Sequence, residues 1–129
     1  MRHQKNRLNE LKTGPKKKSV FIRQLLTNLV REGKIVTTPK RAKVLKAEAD
    51  SFFAKLMEID ARYPEEKDSR REAIRYVSSR IFGEEDGKKV IRVLMPKCKE
   101  SGKRSGFVAA YKVGHRVGDA SPKIMIKII

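Results

Sequence analysis

The sequence predicts an α+β domain of two layers, about four helices packed on a small mixed sheet of about three strands, preceded by an extended basic arm. Three observations carry that expectation. Apolar residues recur at steps of three and four through residues 19–95, which is helical spacing. The closing stretch changes to a step of two, which is strand spacing. Residues 1–18 show neither period and carry seven Lys or Arg side chains beside His3.

A chain of 129 residues suits one compact unit, so residues 1–18 are expected as an arm and 19–129 as a single domain. Each element then follows in order. In the arm only Leu8 and Leu11 are strongly apolar after Met1, and Gly14-Pro15 breaks any helix. Such a segment cannot bury enough apolar surface to offset its chain entropy alone, and would order by laying cations along phosphates. A flexible solubilising tail is the other reading.

Residues 19–32 form the first expected helix. Phe21, Leu25 and Leu29 stand beside the row Ile22, Leu26 and Val30; Ser19 can cap the start and Gly33 the end. Residues 34–38 are β-branched apart from Lys34, a short strand. Thr38-Pro39 opens a long helix to about Ala61: Thr accepts orphan amide bonds, and Pro tolerates the first helical position. Ala42, Leu45, Ala49, Phe52, Leu56 and Ile59 are its core stripe.

After the polar loop 62–69, a third helix over about 69–82 is capped by Asp68 or Ser69 and stopped by Gly83. Residues 84–87 read as an acidic turn. A fourth helix, about 87–95, is disturbed at its end by Pro96. Phe107 to Val113 and Lys123 to Ile128 alternate as an antiparallel pair, joined through a link from about Gly114 to Pro122.

Charge bounds the function. The chain has 32 Lys and Arg against 15 Asp and Glu, a net +17, which attracts polyanions. Nucleic acid is the commonest such partner, and an anionic membrane surface is the next. Residues 1–46 hold 14 Lys and Arg against two acids, so the main phosphate contact is expected there. The candidate RNA-binding residues are Arg2, His3, Lys5, Arg7, Lys12, Lys16, Lys17 and Lys18 in the arm, then Arg23, Lys40, Arg41, Lys43, Lys46, Lys103, Arg104, His115 and Arg116. Such contacts release counterions and give a steep salt dependence. The cations at 40–46 start a helix, where the dipole does not favour them, and adjacent phosphates would offset that cost. The arm, the helix start and the two later basic loops are expected on one surface.

Other chemistries find little support. No phosphate-binding Gly loop, zinc-protease helix or nucleophile elbow occurs, so neither catalysis, cofactor nor small-molecule substrate is expected. Glu65-Glu66 and Glu84-Glu85-Asp86 read as solvated turns. Cys98, the only cysteine, lies between Lys97 and Lys99, which would lower its thiol pKa, but no His is near in sequence. His3 and His115 offer no zinc-ligand spacing. No secretory apolar run follows the basic start, and no run is long enough to span a membrane, so a cytoplasmic protein is expected. No RNA-recognition, KH or cold-shock motif is present, and the strands lack exposed aromatic pairs, which points to recognition of RNA shape and backbone. A free DNA-binding protein is the rival, but a strand rather than a short turn separates the first two helices. An RNA-modifying enzyme is the third class, and its paired acid and base are missing.

Three separated blocks complete the reading. Met1-Arg2-His3 is followed by Lys5, Arg7, Leu8 and Asn9. Leu25, Asn28, Leu29 and Val30 precede Ile35 to Thr38, Lys40, Ala42, Lys43 and Leu45. Gly106-Phe107, Lys112, Gly114, Arg116, Gly118-Asp119, Ala120 and Pro122 close the chain. In order and spacing they resemble the bacterial large-subunit ribosomal protein seventeen family. Three departures stand out: Lys17-Lys18 replaces a His-Arg pair, an Arg is replaced within Val108 to Ala110, and the stretch 60–105 is longer and more acidic. The resemblance implies an α+β protein without catalysis or required cofactor. It also implies a cytoplasmic place in the ribosome, bound to 23S ribosomal RNA near the peptide exit tunnel beside neighbouring large-subunit proteins.

Overall fold

Leu26, Leu29 and Val30 turn inward along the first helix, α1 (Lys18–Glu32), and give it the buried stripe its spacing demands. The computed structural model describes Leu11, which is buried, and residues 18–129. The rest of the expected arm lies outside the described residues, as does the side chain of Lys18. Ser19 therefore falls inside α1 rather than capping it. Gly33 takes a positive φ of 78° and donates its N–H to the Leu29 carbonyl at 2.7 Å. That left-handed residue turns the chain straight into β1 (Lys34–Thr37).

The long helix α2 (Pro39–Arg62) starts at the expected Thr38-Pro39 pair, but the Thr38 hydroxyl makes no capping bond. The Thr38 carbonyl accepts the Ala42 N–H at 2.9 Å, and Pro39 supplies the fixed φ of the first turn. α3 spans Glu66–Arg80 and begins ahead of the expected cap at Asp68 or Ser69. Glu66 and Asp68 occupy its first turn, where negative charge suits the dipole. Ser69 is buried instead, its hydroxyl donating to Asp60 at 3.2 Å.

The acidic segment at 84–87 is a helix start rather than a turn. α4 (Glu84–Lys89) runs through a π-helical turn (Val90–Leu94) into α5 (Met95–Ser101), all with right-handed helical dihedrals at the joints. Pro96 thus sits within a helical run that continues past it. An α-helix would drive the Pro ring into the carbonyl four residues back. The wider turn, with the Met95 N–H bonding the Val90 carbonyl, relieves that conflict.

The sheet has the order β1-β3-β2, with β2 at Val108–His115 and β3 at Pro122–Ile128. Both pairings are antiparallel, so the sheet expected to be mixed is antiparallel throughout. β3 returns from β2 by a short link and meets β1 head to tail. Ile126 stands between Ile35 and Ala110, and Ile128 beside Val108. Ile126, Ile128 and Val108 are buried on the face covered by the helices. The expected alternation in β2 fades after Val108: Ala110 and Lys112 share its phase but are exposed. The hairpin there runs out past its cover.

Phe53 joins the layers. Its ring meets Phe52 edge-on at 5.2 Å and Phe107 at 5.9 Å, and Phe52 stacks on Tyr76 at 5.6 Å. Burying one such ring contributes about 2–3 kcal/mol. Asp50 accepts the Val108 N–H at 3.1 Å and so fixes β2 against α2. Thr27, also buried, is satisfied on both sides: it donates to the Arg23 carbonyl at 2.8 Å and accepts the Phe82 N–H at 2.9 Å.

Candidate nucleic-acid interface

Topology sorts the basic residues. β1 ends at Thr37, opposite Ile124, and α2 starts immediately afterwards. β2 ends beside Lys123 and Pro122. The start of α2 and the β2–β3 link therefore share one end of the sheet. Lys40, Arg41 and Lys43 are exposed there, and the first turn of α2 contains no acid. The Arg41 guanidinium lies 4.9 Å from the centre of the Phe21 ring, which brings the start of α1 to the same place. The chain therefore enters α1 at this basic end. Arg2, His3, Lys5, Arg7, Lys12, Lys16 and Lys17 lie outside the described residues.

His115 ends β2 and Arg116 opens the exposed link of the hairpin. Arg116 grips Asp119 with two bonds, Nε to Oδ1 at 3.1 Å and Nη2 to Oδ2 at 2.6 Å. Asp119 also accepts the Ser121 N–H at 3.1 Å. The Arg116 guanidinium, then this amide, hold the Asp119 carboxyl below the ordinary carboxylate range. The Arg116 N–H bonds the Ser121 carbonyl at 2.9 Å, and Ala120 adopts a φ of 53° to close the turn. The tip is thus a fixed shape, with Val117 fully exposed at its crest.

Not every expected cation joins this end. Lys103 and Arg104 lie in the connection before β2, whose first residue pairs with Ile128 beside Gly33. That is the opposite end of the strand from Arg116, roughly 20 Å away by strand rise. The expectation of one surface for all the basic loops is corrected accordingly. Arg23 is engaged inside the protein: it donates to the Ser78 carbonyl at 2.9 Å, and its guanidinium lies 4.2 Å from the Phe82 ring centre. Helical position alone could not foretell that, because Phe82 is far along the chain. Lys46 is half-buried, with Asp50 at 3.9 Å.

Sequence reasoning missed Lys34, Lys123 and Lys127. The register places them on the sheet face turned away from the helices, two residues apart along β3 from Met125 and opposite Lys34 on β1. Their alternation with Ile124, Ile126 and Ile128 was the available signal.

The helical layer treats charge differently. Residues 58–100 hold 11 Lys and Arg against 10 Asp and Glu. Arg70 pairs with Glu66 at 3.0 Å, Arg75 with Glu72 at 2.9 Å and Lys88 with Glu84 at 2.9 Å. Lys88 holds the Glu84 carboxyl below its usual range. Asp86 receives Arg31 from α1 at 2.9 Å, and that bond raises the Arg31 pKa. The acidic clusters are therefore partners of cations rather than merely solvated turns. Cys98 is buried, and burial pushes its thiol up, outweighing Lys97 and Lys103. Among the described residues no group of three His, Cys, Asp or Glu could hold a metal ion, and no helix is long and apolar enough to cross a membrane.

Comparison with known proteins turns this basic α+β unit into a family assignment. Residues 21–129 match the family model described as ribosomal protein L17. The chain belongs to that family. Its L17 relatives include the large ribosomal subunit protein bL17 of Desulforudis audaxviator, 30% identical over 84% of this chain and 87% of the relative. The bL17 of Moorella thermoacetica is 30% identical over 87% of this chain and 89% of its own length. That of Syntrophotalea carbinolica is 26% identical over 100% of this chain and 75% of its own. The L17 family is structural and non-enzymatic.

Proposed function

We propose that this chain is a structural constituent of the large ribosomal subunit that binds and stabilises 23S ribosomal RNA near the peptide exit tunnel, beside neighbouring large-subunit proteins in the bacterial cytoplasm. The L17 family match over residues 21–129 carries the reading. The physical chemistry agrees with it. A net charge of +17 gathers toward residues 1–46 and the strands, where phosphates would be met. The end bearing Lys40, Arg41, Lys43 and His115, with Arg116 held by Asp119 beside them, is the surface we assign to the RNA backbone, with the arm residues extending that contact. Lys103 and Arg104 form a separate basic point at the other end of β2. The location near the exit tunnel rests on the family resemblance.

Sedimentation tests the reading. Tagged protein should travel with the large-subunit fraction of a sucrose gradient at physiological salt, and a map of that particle should place it by the tunnel opening. Protein that stays at the top of the gradient overturns the assignment.

A further inference from the structure

We propose that the open face of the sheet is a second RNA contact, on which an unpaired base stacks against Tyr111 while Lys34, Lys123 and Lys127 hold the adjoining phosphates. The proposal deepens the ribosomal RNA reading and rests on it. Tyr111, Met125 and Val36 are register partners and form one row across the three strands. The row is about 10 Å wide, two strand spacings. Tyr111 is 47% exposed and Val36 52%, with Met125 partly buried between them.

Tyr111 differs from the other rings of the fold. Phe52, Phe53, Tyr76 and Phe107 contact one another in the core. Among the described residues the Tyr111 ring and hydroxyl have no partner. An exposed flat ring beside apolar neighbours suits the flat face of a base, which stacks whatever its identity. A single ring fits a single unstacked base, as found in loops and bulges of structured RNA.

Charge selects the occupant. Lys127 pairs with Lys34 across the sheet on one side of the row, and Lys123 stands on the other. Strand rise sets each about 7 Å from the Met125 position. The strand segments 34–37, 108–115 and 122–128 contain no Asp or Glu. A polyanion is complementary to such a face. The arm of this same chain, with seven Lys or Arg and one Glu, is not.

The test uses the full chain and a 23S rRNA transcript carrying 4-thiouridine. Long-wavelength irradiation should join the RNA to a peptide containing Tyr111, identified by mass spectrometry. Tyr111→Ala should weaken filter binding about tenfold, and Tyr111→Phe should bind as the parent does. Thermal unfolding of each variant checks the fold, and the cross-link on the parent protein stands independently of any variant. If Tyr111→Ala binds normally while K40Q/R41Q/K43Q loses affinity, the stacking site is wrong and the RNA reading survives. Cross-links from Lys34 or Lys127 to another protein in purified subunits, without RNA on Tyr111, also overturn it. A parent protein that ignores the transcript removes both proposals.

Discussion

In the first turn of α2, Arg41 and Lys43 are exposed with no acid in that turn, whereas in α3 and α4 Arg70, Arg75 and Lys88 each lie beside a carboxylate of the same helix. Both regions are rich in Lys and Arg. They differ in how far the fold neutralises them. Residues 58–100 carry a near balance of charges, and the remaining chain carries almost all of the excess. Exposed pairs of the α3 kind add little stability, typically under about 1 kcal/mol. Their larger effect is on the field: they keep one side of the molecule quiet while the other attracts a polyanion. A count of basic residues therefore misleads unless each is set against its nearest acid.

Phe53 ties the middle of α2 to Phe107 at the entry to β2, and its loss should give the largest effect. Phe53→Ala should destabilise the protein by about 3–5 kcal/mol, read from urea unfolding. Helical and near-ultraviolet signals should move together. Two separate transitions would show that the regions fold apart. Next comes the contrast itself. Replacing Lys40, Arg41 and Lys43 by Gln should flatten the log–log salt slope of 23S rRNA binding by about 2–3. The same change at Arg70, Arg71 and Arg75 should leave the slope alone. Equal effects would dissolve the distinction.

Cys98 reports on the integrity of the helical side. Its buried thiol, with a pKa raised by desolvation, should resist iodoacetamide at pH 8 and react readily in urea. Fast labelling of native protein would mean that this layer opens. The smallest effect is at the hairpin. Asp119 has a depressed pKa in the folded chain, so its bonds to Arg116 and Ser121 are present above the unfolded carboxylate pKa. They are lost as pH falls through the folded value, below the ordinary 3.8. The Ser121 amide resonance should shift in that acid window and stay still in Asp119→Asn.

Much of this was legible in the residues. Gly33, Pro39 and the apolar steps of α1 and α2 marked those elements nearly to the residue, because caps and periodicity agreed there. The α4–α5 run was not. Gly87 and Pro96 look like interruptions, yet Gly87 lies within α4 and the π-helical turn just ahead of Pro96 lets the run pass it. The candidate site divided in the same way. The basic start of α2 stood out by its sequence density. Arg23 turned inward because Ser78 and Phe82 arrive from 55 or more residues away. The open sheet face came into view only once the register put Tyr111, Met125 and Val36 in line.

The closed tip of the β2–β3 hairpin has a consequence for assembly. With Arg116, Asp119 and Ser121 already fastened to one another, Val117 has a set position before any neighbour arrives. Little freedom is left there to lose on docking. Any surface that met this crest would meet a backbone shape already set by the turn's own bonds.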